Sequence, residues 1–276
     1  MKHLLLILAI VISFLSEAQI SAYDIFKKSY RKISHATTMQ YYNISKERIE
    51  GEYLKDKTLV KVNRLPFKVY LSQEKEGGSE ILYNAAINQQ KAIISPGKFP
   101  YITLYLSPYG RIMRNKTHHT LFQADIKYTY DILQHAVVHR KNDDLMSLIG
   151  KYKIGDKIVY KLQIANKNWK IYKYTVKKGE NLTSIAKDHR IGDYKILELN
   201  PNISFYNDVD AGDIIYLPNY YSKSIILYID VKTFLPYMLK VYDEKDLYES
   251  YIFKNLILNC PFSKGEFLES YKDYSF

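Results

Sequence analysis

The spacing of apolar positions changes several times along the chain, and each change marks a new element. Over Ala22–Ile33, residues Ile25, Phe26, Tyr30 and Ile33 recur at helical spacing with lysines and Arg31 between them, which predicts an amphipathic helix. From about Thr37 the period falls to two. Alternation predicts strands over Thr38–Arg48, Tyr53–Val62, Phe67–Leu71, Glu80–Ala85, Ala92–Ser95 and Tyr101–Leu106. Lys55-Asp56-Lys57, Glu76-Gly77-Gly78 and Pro96-Gly97-Lys98 read as turns between them, so an antiparallel meander is expected. Helical spacing returns over Gln123–Ile149, where Ile126, Tyr130, Leu133 and Val137 form a stripe and Asn142-Asp143-Asp144 offers a break. Strand patterning resumes at Ile158–Ile164 and Trp169–Val176. Beyond a compact insert it continues through Ser224–Ile229, Pro236–Tyr242 and Tyr248–Asn259. This order predicts an α+β fold, an antiparallel sheet with helices packed on one side.

The first residues bear on compartment. Met1-Lys2-His3 is a short basic start, Leu4–Leu15 is apolar apart from Ser13, and Ser16-Glu17-Ala18 has the small-x-small pattern of a signal peptidase site. The run falls short of the roughly 20 apolar residues needed to cross a hydrocarbon core. The expectation is a signal peptide over 1–18, a mature chain from Gln19, and an exported, soluble, periplasmic protein. The single cysteine, Cys260, excludes an internal disulfide, so the core must hold the fold together.

Charge changes this picture little. Forty basic against twenty-nine acidic residues give a net charge of +11, which favours anionic partners. The lysines are scattered, and export argues against nucleic acid. The 28 tyrosines mostly alternate with polar residues, as half-buried sheet positions do.

The insert is the most specific signal. It opens Tyr174-Thr175-Val176-Lys177-Lys178-Gly179-Glu180-Asn181-Leu182, passes Ile196-Leu197-Glu198-Leu199-Asn200-Pro201-Asn202-Ile203, and closes Ala211-Gly212-Asp213-Ile214-Ile215-Tyr216-Leu217-Pro218. Leu182, Ile185 and Ala186 give one helix a buried face, and Ile196, Leu197 and Leu199 another. Asn181 or Glu180 is placed to cap the first, and Pro201 ends the second. This arrangement over Lys173–Pro218 resembles the LysM domain. The resemblance implies a βααβ fold binding N-acetylglucosamine glycans such as peptidoglycan. By that resemblance, one groove wall comes from Gly179, Glu180, Asn181 and Leu182, and the other from Asn200, Pro201, Asn202 and Ile203. The chain departs from the family in having Glu180-Asn181 where Asp-Thr is usual, and in the longer connection Ser204–Asp208.

The flanking parts, 19–172 and 219–276, read as one discontinuous domain. Leu65-Pro66-Phe67-Lys68-Val69-Tyr70-Leu71, Gly78-Ser79-Glu80-Ile81-Leu82-Tyr83 and Leu235-Pro236-Tyr237 are similar to secreted bacterial proteins that in turn resemble LolA-type lipoprotein carriers. That resemblance implies a curved antiparallel half-barrel with a helical lid. An apolar cavity able to hold a lipid or lipoprotein-like ligand would lie between them, with Val60, Val62, Val69, Leu71, Ile81, Tyr83 and Leu104 as candidate lining. The same residues can equally close into a filled core, which would leave an envelope scaffold.

Hydrolytic chemistry finds little support. Cys260 lies beside Pro261 after a strand, which suits burial rather than a nucleophile. Asp131, His135 and His139 share a helix face and could hold a transition metal, but that face lies opposite the apolar stripe, where solvated polar residues explain them equally well. His118-His119 has no carboxylate motif near it, and no carboxylate pair stands out for glycoside hydrolysis. The expectation is a non-enzymatic binding protein with no metal and no cofactor, and the alternative is a peptidoglycan hydrolase or its accessory factor.

Overall fold

A computed structural model describes residues 20–87, 90–139 and 145–276. The expected leader over 1–18 and the break at Asn142-Asp143-Asp144 lie outside them. The chain opens with helix α1 (Ala22–His35), capped by Ser21, whose Oγ accepts from Asp24 N at 3.0 Å. Strands β1 (Thr38–Ile49), β2 (Glu52–Arg64), β3 (Phe67–Gln73), β4 (Glu80–Asn84), β5 (Ala92–Ser95) and β6 (Leu104–Leu106) follow. Next come the short helix α2 (Arg111–Arg114), a 3-10 turn at Leu121–Gln123 and helix α3 (Ile126–His139). Strands β7 (Met146–Ile154) and β8 (Lys157–Ala165) precede the insert, and β11 (Ser224–Asp230), β12 (Pro236–Asp243) and β13 (Asp246–Leu258) follow it.

These strands form one antiparallel sheet of eleven, in the order β6-β5-β4-β3-β2-β1-β13-β12-β11-β8-β7. The sheet is open. Its register slips at Gln40/Tyr42, Val241/Tyr242, Tyr228/Ile229 and Leu148/Gly150, and such bulges increase local twist and bend the strands. The inner face wraps α1 and α3, so that Ile25, Phe26, Ile33, Tyr130 and Leu133 share one core with Met39, Val62, Val69, Leu162, Leu227 and Leu239. Ser29 and Tyr130 hydroxyls meet at 2.9 Å inside that core, and the Phe26 and Tyr130 rings stack at 5.6 Å. Arg64, at the end of β2, ties the helices to the sheet. It donates to both carboxylate oxygens of Asp125, just before α3, at 2.5 and 2.7 Å, and to Ile33 O of α1 at 2.7 Å. The α+β class, the open antiparallel sheet and its helices on one side follow the expected pattern.

Two expectations are corrected. The helix predicted over Gln123–Ile149 is described as far as His139 and does not reach Ile149, because Met146–Leu148 pair with β8 (Met146 opposite Ile164, Leu148 opposite Leu162) and Met146–Ile149 alternate in burial. Lys55-Asp56-Lys57 is no turn, since β1 pairs with β2 straight through it, with Lys46 opposite Lys55 and Ile44 opposite Lys57. The tail beyond β13 is structured. Phe267, Tyr274 and Phe276 cover Tyr70, Leu82 and Ile93 on the outer face, and Tyr274 stacks on Tyr70 at 3.8 Å.

The insert comprises β9 (Ile171–Thr175), α4 (Leu182–His189), α5 (Asp193–Leu199) and β10 (Ile214–Pro218), with β9 and β10 antiparallel. Its own core gathers Val176, Leu182, Ile185, Ile196, Ile215 and Leu217. The flanking strands β8 and β11 are neighbours in the sheet, with Ser224 opposite Ala165. The insert therefore loops out of a continuous ladder.

Candidate functional site

The curved sheet leaves a cavity of about 620 Å³ beneath the segment that runs from α2 to the start of α3. Val60, Leu71, Ile81 and Leu104 of the predicted lining face it, joined by Leu54, Ile94, Ile112, Met113 and Phe253. Val62, Val69 and Tyr83 are elsewhere, buried in the core. Tyr83 packs edge-on to Phe122 at 5.2 Å. Side chains two apart on a strand share a face, but the neighbouring helices decide which part of that face is covered.

The cavity wall also carries charge that no local motif announced. Glu249, from β13, is fully buried and accepts from Tyr221 Oη at 2.6 Å and Tyr251 Oη at 3.0 Å. His118 Nδ1 meets it at 2.8 Å and His119 Nε2 at 3.2 Å. The other ring nitrogen of His118 meets Arg48 O at 2.9 Å. Glu47 accepts from His118 N at 2.9 Å and Tyr251 Oη at 2.8 Å. Glu47, His119 and Tyr251 line the cavity. Burial works against a charged His119, but the Glu249 carboxylate outweighs it and raises the imidazole to about 9. Burial likewise opposes charge on Glu249, and the His119 charge with the hydrogen bonds from both histidines holds it well below the carboxylate range. The carboxylate missing beside His118-His119 in sequence is supplied by β13.

In the insert, the capping ambiguity resolves. Asn181 Oδ1 accepts from Ser184 N at 2.9 Å while Ser184 Oγ accepts from Asn181 N at 2.9 Å. Glu180 instead braces the glycine turn, accepting from Lys177 N at 2.8 Å and from Tyr174 Oη at 2.9 Å. Gly179, at φ +84°, occupies the left-handed region that this turn requires. Among the predicted groove residues, Gly179, Pro201 and Asn202 are exposed, Glu180 and Asn181 are half-buried, and Leu182, Asn200 and Ile203 are buried. Asn200 is committed to structure, donating to Ile196 O at 2.7 Å and Tyr216 O at 2.9 Å and accepting from Tyr216 N at 2.9 Å. Leu182 N donates to Tyr206 O at 2.8 Å, which sets the start of α4 against the long connection after Ile203.

The insert is docked on the sheet rather than hung from it. Lys195 of α5 is buried and donates to Asp243 at 2.7 Å and to Glu198 and Glu244 at 2.8 Å each. Arg48 of β1 pairs with Asp243 and reaches Glu198 at 3.3 Å. Burial disfavours each charge, yet the hydrogen bonds within the cluster raise Lys195 and lower Asp243 and Glu198. The three carboxylates converge, and the Lys195 ammonium sits among them. A second buried pair, Arg114–Asp193 at 3.0 Å, joins α2 to α5, and Arg114 lies over the Tyr206 ring at 3.6 Å. Tyr194 stacks on His118 at 4.7 Å. Thus α2 and the residues after it contact the cavity on one side and the insert on the other.

Of the residues weighed for hydrolysis or metal binding, Cys260 and Asp131 have these surroundings. Cys260 is half-buried, and burial raises its thiol, opposite to the need of a thiolate nucleophile. Asp131 accepts from Tyr30 Oη at 3.1 Å and pairs with Lys127. Among the described residues no helix is long and apolar enough to cross a membrane.

Comparison with known proteins bears on both parts. A phage protein described as an endolysin, from Bacillus phage B103, is 35% identical over 98 residues, covering 29% of this chain and 37% of that protein. The chain thus spans little more than a third of that relative, in the region of the insert. Among solved structures, LprF from Mycobacterium bovis is similar at 11% identity, covering 88% of this chain and 94% of that one with a TM-score of 0.45. MucB in the MucA/MucB complex of Pseudomonas aeruginosa is similar at 11% identity, over 89% of this chain and 60% of that one, TM-score 0.41. A LolA superfamily protein from Nitrosomonas europaea is similar at 10% identity, over 88% and 95%, TM-score 0.28. Residues 174–218 match the LysM domain family, and they carry its expected strand–helix–helix–strand order.

Proposed function

We propose that this is a cell-envelope binding protein with two coupled parts. The LysM module binds N-acetylglucosamine glycan of peptidoglycan, and the half-barrel holds an apolar, lipid or lipoprotein-like ligand in its cavity. The observation that carries this reading is the cavity of about 620 Å³, within the range of small-molecule sites, lined by Val60, Leu71, Ile81, Ile94 and Phe253. Apolar side chains grouped in this way would favour an acyl chain, while the polar residues on the rest of the lining, Glu47, Gln73 and His119 among them, would meet a polar head. The family match over 174–218 supports the glycan half, together with the exposure of Gly179, Pro201 and Asn202 on the two groove loops. The buried Lys195 and Arg114 pairs fix the groove relative to the cavity, so wall attachment would set the orientation of the cavity mouth.

Sedimentation with insoluble peptidoglycan tests the glycan half. Pro201 and Asn202 are exposed, so the variant Pro201→Asp/Asn202→Asp should fold normally and pellet at least tenfold less. Equal pelleting would remove the tether. Mass spectrometry of lipids carried by the natively purified protein tests the other half, and a consistently empty cavity would leave the protein a scaffold.

A further inference from the structure

The loop between β5 and β6 presents apolar side chains that nothing among the described residues covers. Phe99 is 87% exposed, Tyr101 74% and Ile102 56%, and Ile112, at the start of α2, is 67% exposed. Tyr101 stands in the left-handed backbone region, at φ +53°, which a non-glycine residue adopts at a steric cost. A globular chain gains nothing from holding large apolar groups in water, and a concentrated exposed patch marks an interaction surface.

Its surroundings identify the partner. Lys98 immediately precedes Phe99, and Lys98, Pro96, Leu104, Ile112 and Lys116 all line the cavity. The patch therefore sits at the cavity mouth. Lys55 and Lys75 line the same cavity, and all four lysines are exposed. Among the described residues, Lys75 pairs with Asp56 at 3.6 Å, and Lys55, Lys98 and Lys116 take part in no ion pair. Aromatic and aliphatic side chains ringed by unpaired lysines match the interfacial layer of an anionic bilayer, where rings sit at headgroup depth and ammonium groups meet phosphates. A protein partner would need a carboxylate placed against each lysine, whereas an anionic bilayer offers phosphates at every position.

We propose that the cavity mouth docks on an anionic lipid surface through Phe99, Tyr101, Ile102 and Ile112, with Lys55, Lys98 and Lys116 against lipid phosphates. This surface works whether or not the cavity carries a ligand, so it stands apart from the carrier reading. Docked in this way, the mouth would open directly toward the bilayer, the route by which an acyl chain could pass without crossing water.

Flotation with vesicles tests it, using the chain from Gln19 onward, which keeps every described element. Vesicles of equal phosphatidylglycerol and phosphatidylcholine should carry the protein up, and vesicles of phosphatidylcholine alone should not. Each lysine at such a surface is worth about fivefold in affinity, so Lys98→Glu/Lys116→Glu should weaken binding by well over about tenfold. Phe99→Ser/Tyr101→Ser/Ile102→Ser should do the same while peptidoglycan pelleting and circular dichroism stay unchanged. An environment-sensitive dye on Ile102→Cys, in a Cys260→Ser background, should shift to the blue only with anionic vesicles. Two outcomes would overturn the proposal. One is no flotation with either vesicle, which would hand the patch to a protein partner. The other is binding that survives both sets of substitutions with the dye still in water.

Discussion

Glu249 shows how much one side chain can depend on residues far away in sequence. It is buried with four donors around it, from His118, His119, Tyr221 and Tyr251. Removing the charge by Glu249→Gln should destabilise the fold by about 3–5 kcal/mol near neutral pH, since a buried ionic partner is left uncompensated. The pH dependence has a definite sign. His119 is raised from 6.5 to about 9, so its contribution is complete below pH 6.5 and fades as pH rises through 9. Glu249 lies below its ordinary 4.5, so its contribution is complete above pH 4.5 and is lost as the pH falls further. The pair stabilises most between pH 4.5 and 6.5. Urea midpoints measured from pH 6.5 to 9 should fall in the native protein and fall less in His119→Gln. Parallel profiles would remove the role given to this pair. His118-His119 was visible in sequence, but only sheet pairing through β13 brings the carboxylate to it.

At the level of elements, local signals were strong where a single element carries its own cap and buried face. Helix α4 is the clearest case. Its apolar face, Leu182, Ile185 and Ala186, is read directly from the chain and is in place, and its cap, narrowed there to Asn181 or Glu180, is Asn181. Asn181→Ala should cost the module about 1 kcal/mol, seen as a lower thermal midpoint, and no change would mean Glu180 substitutes as cap. Reading failed where helical and strand patterns run together. Met146–Ile149 fits the end of an amphipathic helix as well as a strand, and pairing with β8 decided the matter. Helix α2, four residues long, is too short to leave a periodic signal, yet it bridges cavity and insert.

At the scale of the molecule, the buried pairs Lys195–Asp243 and Arg114–Asp193 join the insert to the sheet and to α2 and should make them unfold as one unit. Scanning calorimetry should show one unfolding transition for the native chain. Lys195→Met would leave Asp243, Glu198 and Glu244 short of a cation, cost about 3–5 kcal/mol and separate the module from the sheet as two transitions. An unshifted single transition would show that the charges contribute no net docking energy.

The sequence alone determined the class of each part: period-two runs specified an antiparallel sheet, and the glycine turns, caps and Asn-Pro specified the LysM module, because these signals act within a few residues. Tertiary structure decided which apolar residues line the cavity and which fill the core, where the carboxylate for His118 and His119 comes from, and that the module is clamped to the sheet. Each of those depends on contacts between residues well beyond the reach of a local pattern, such as Lys195 with Asp243, Arg48 with Asp243 or His118 with Glu249, which local periodicity does not encode.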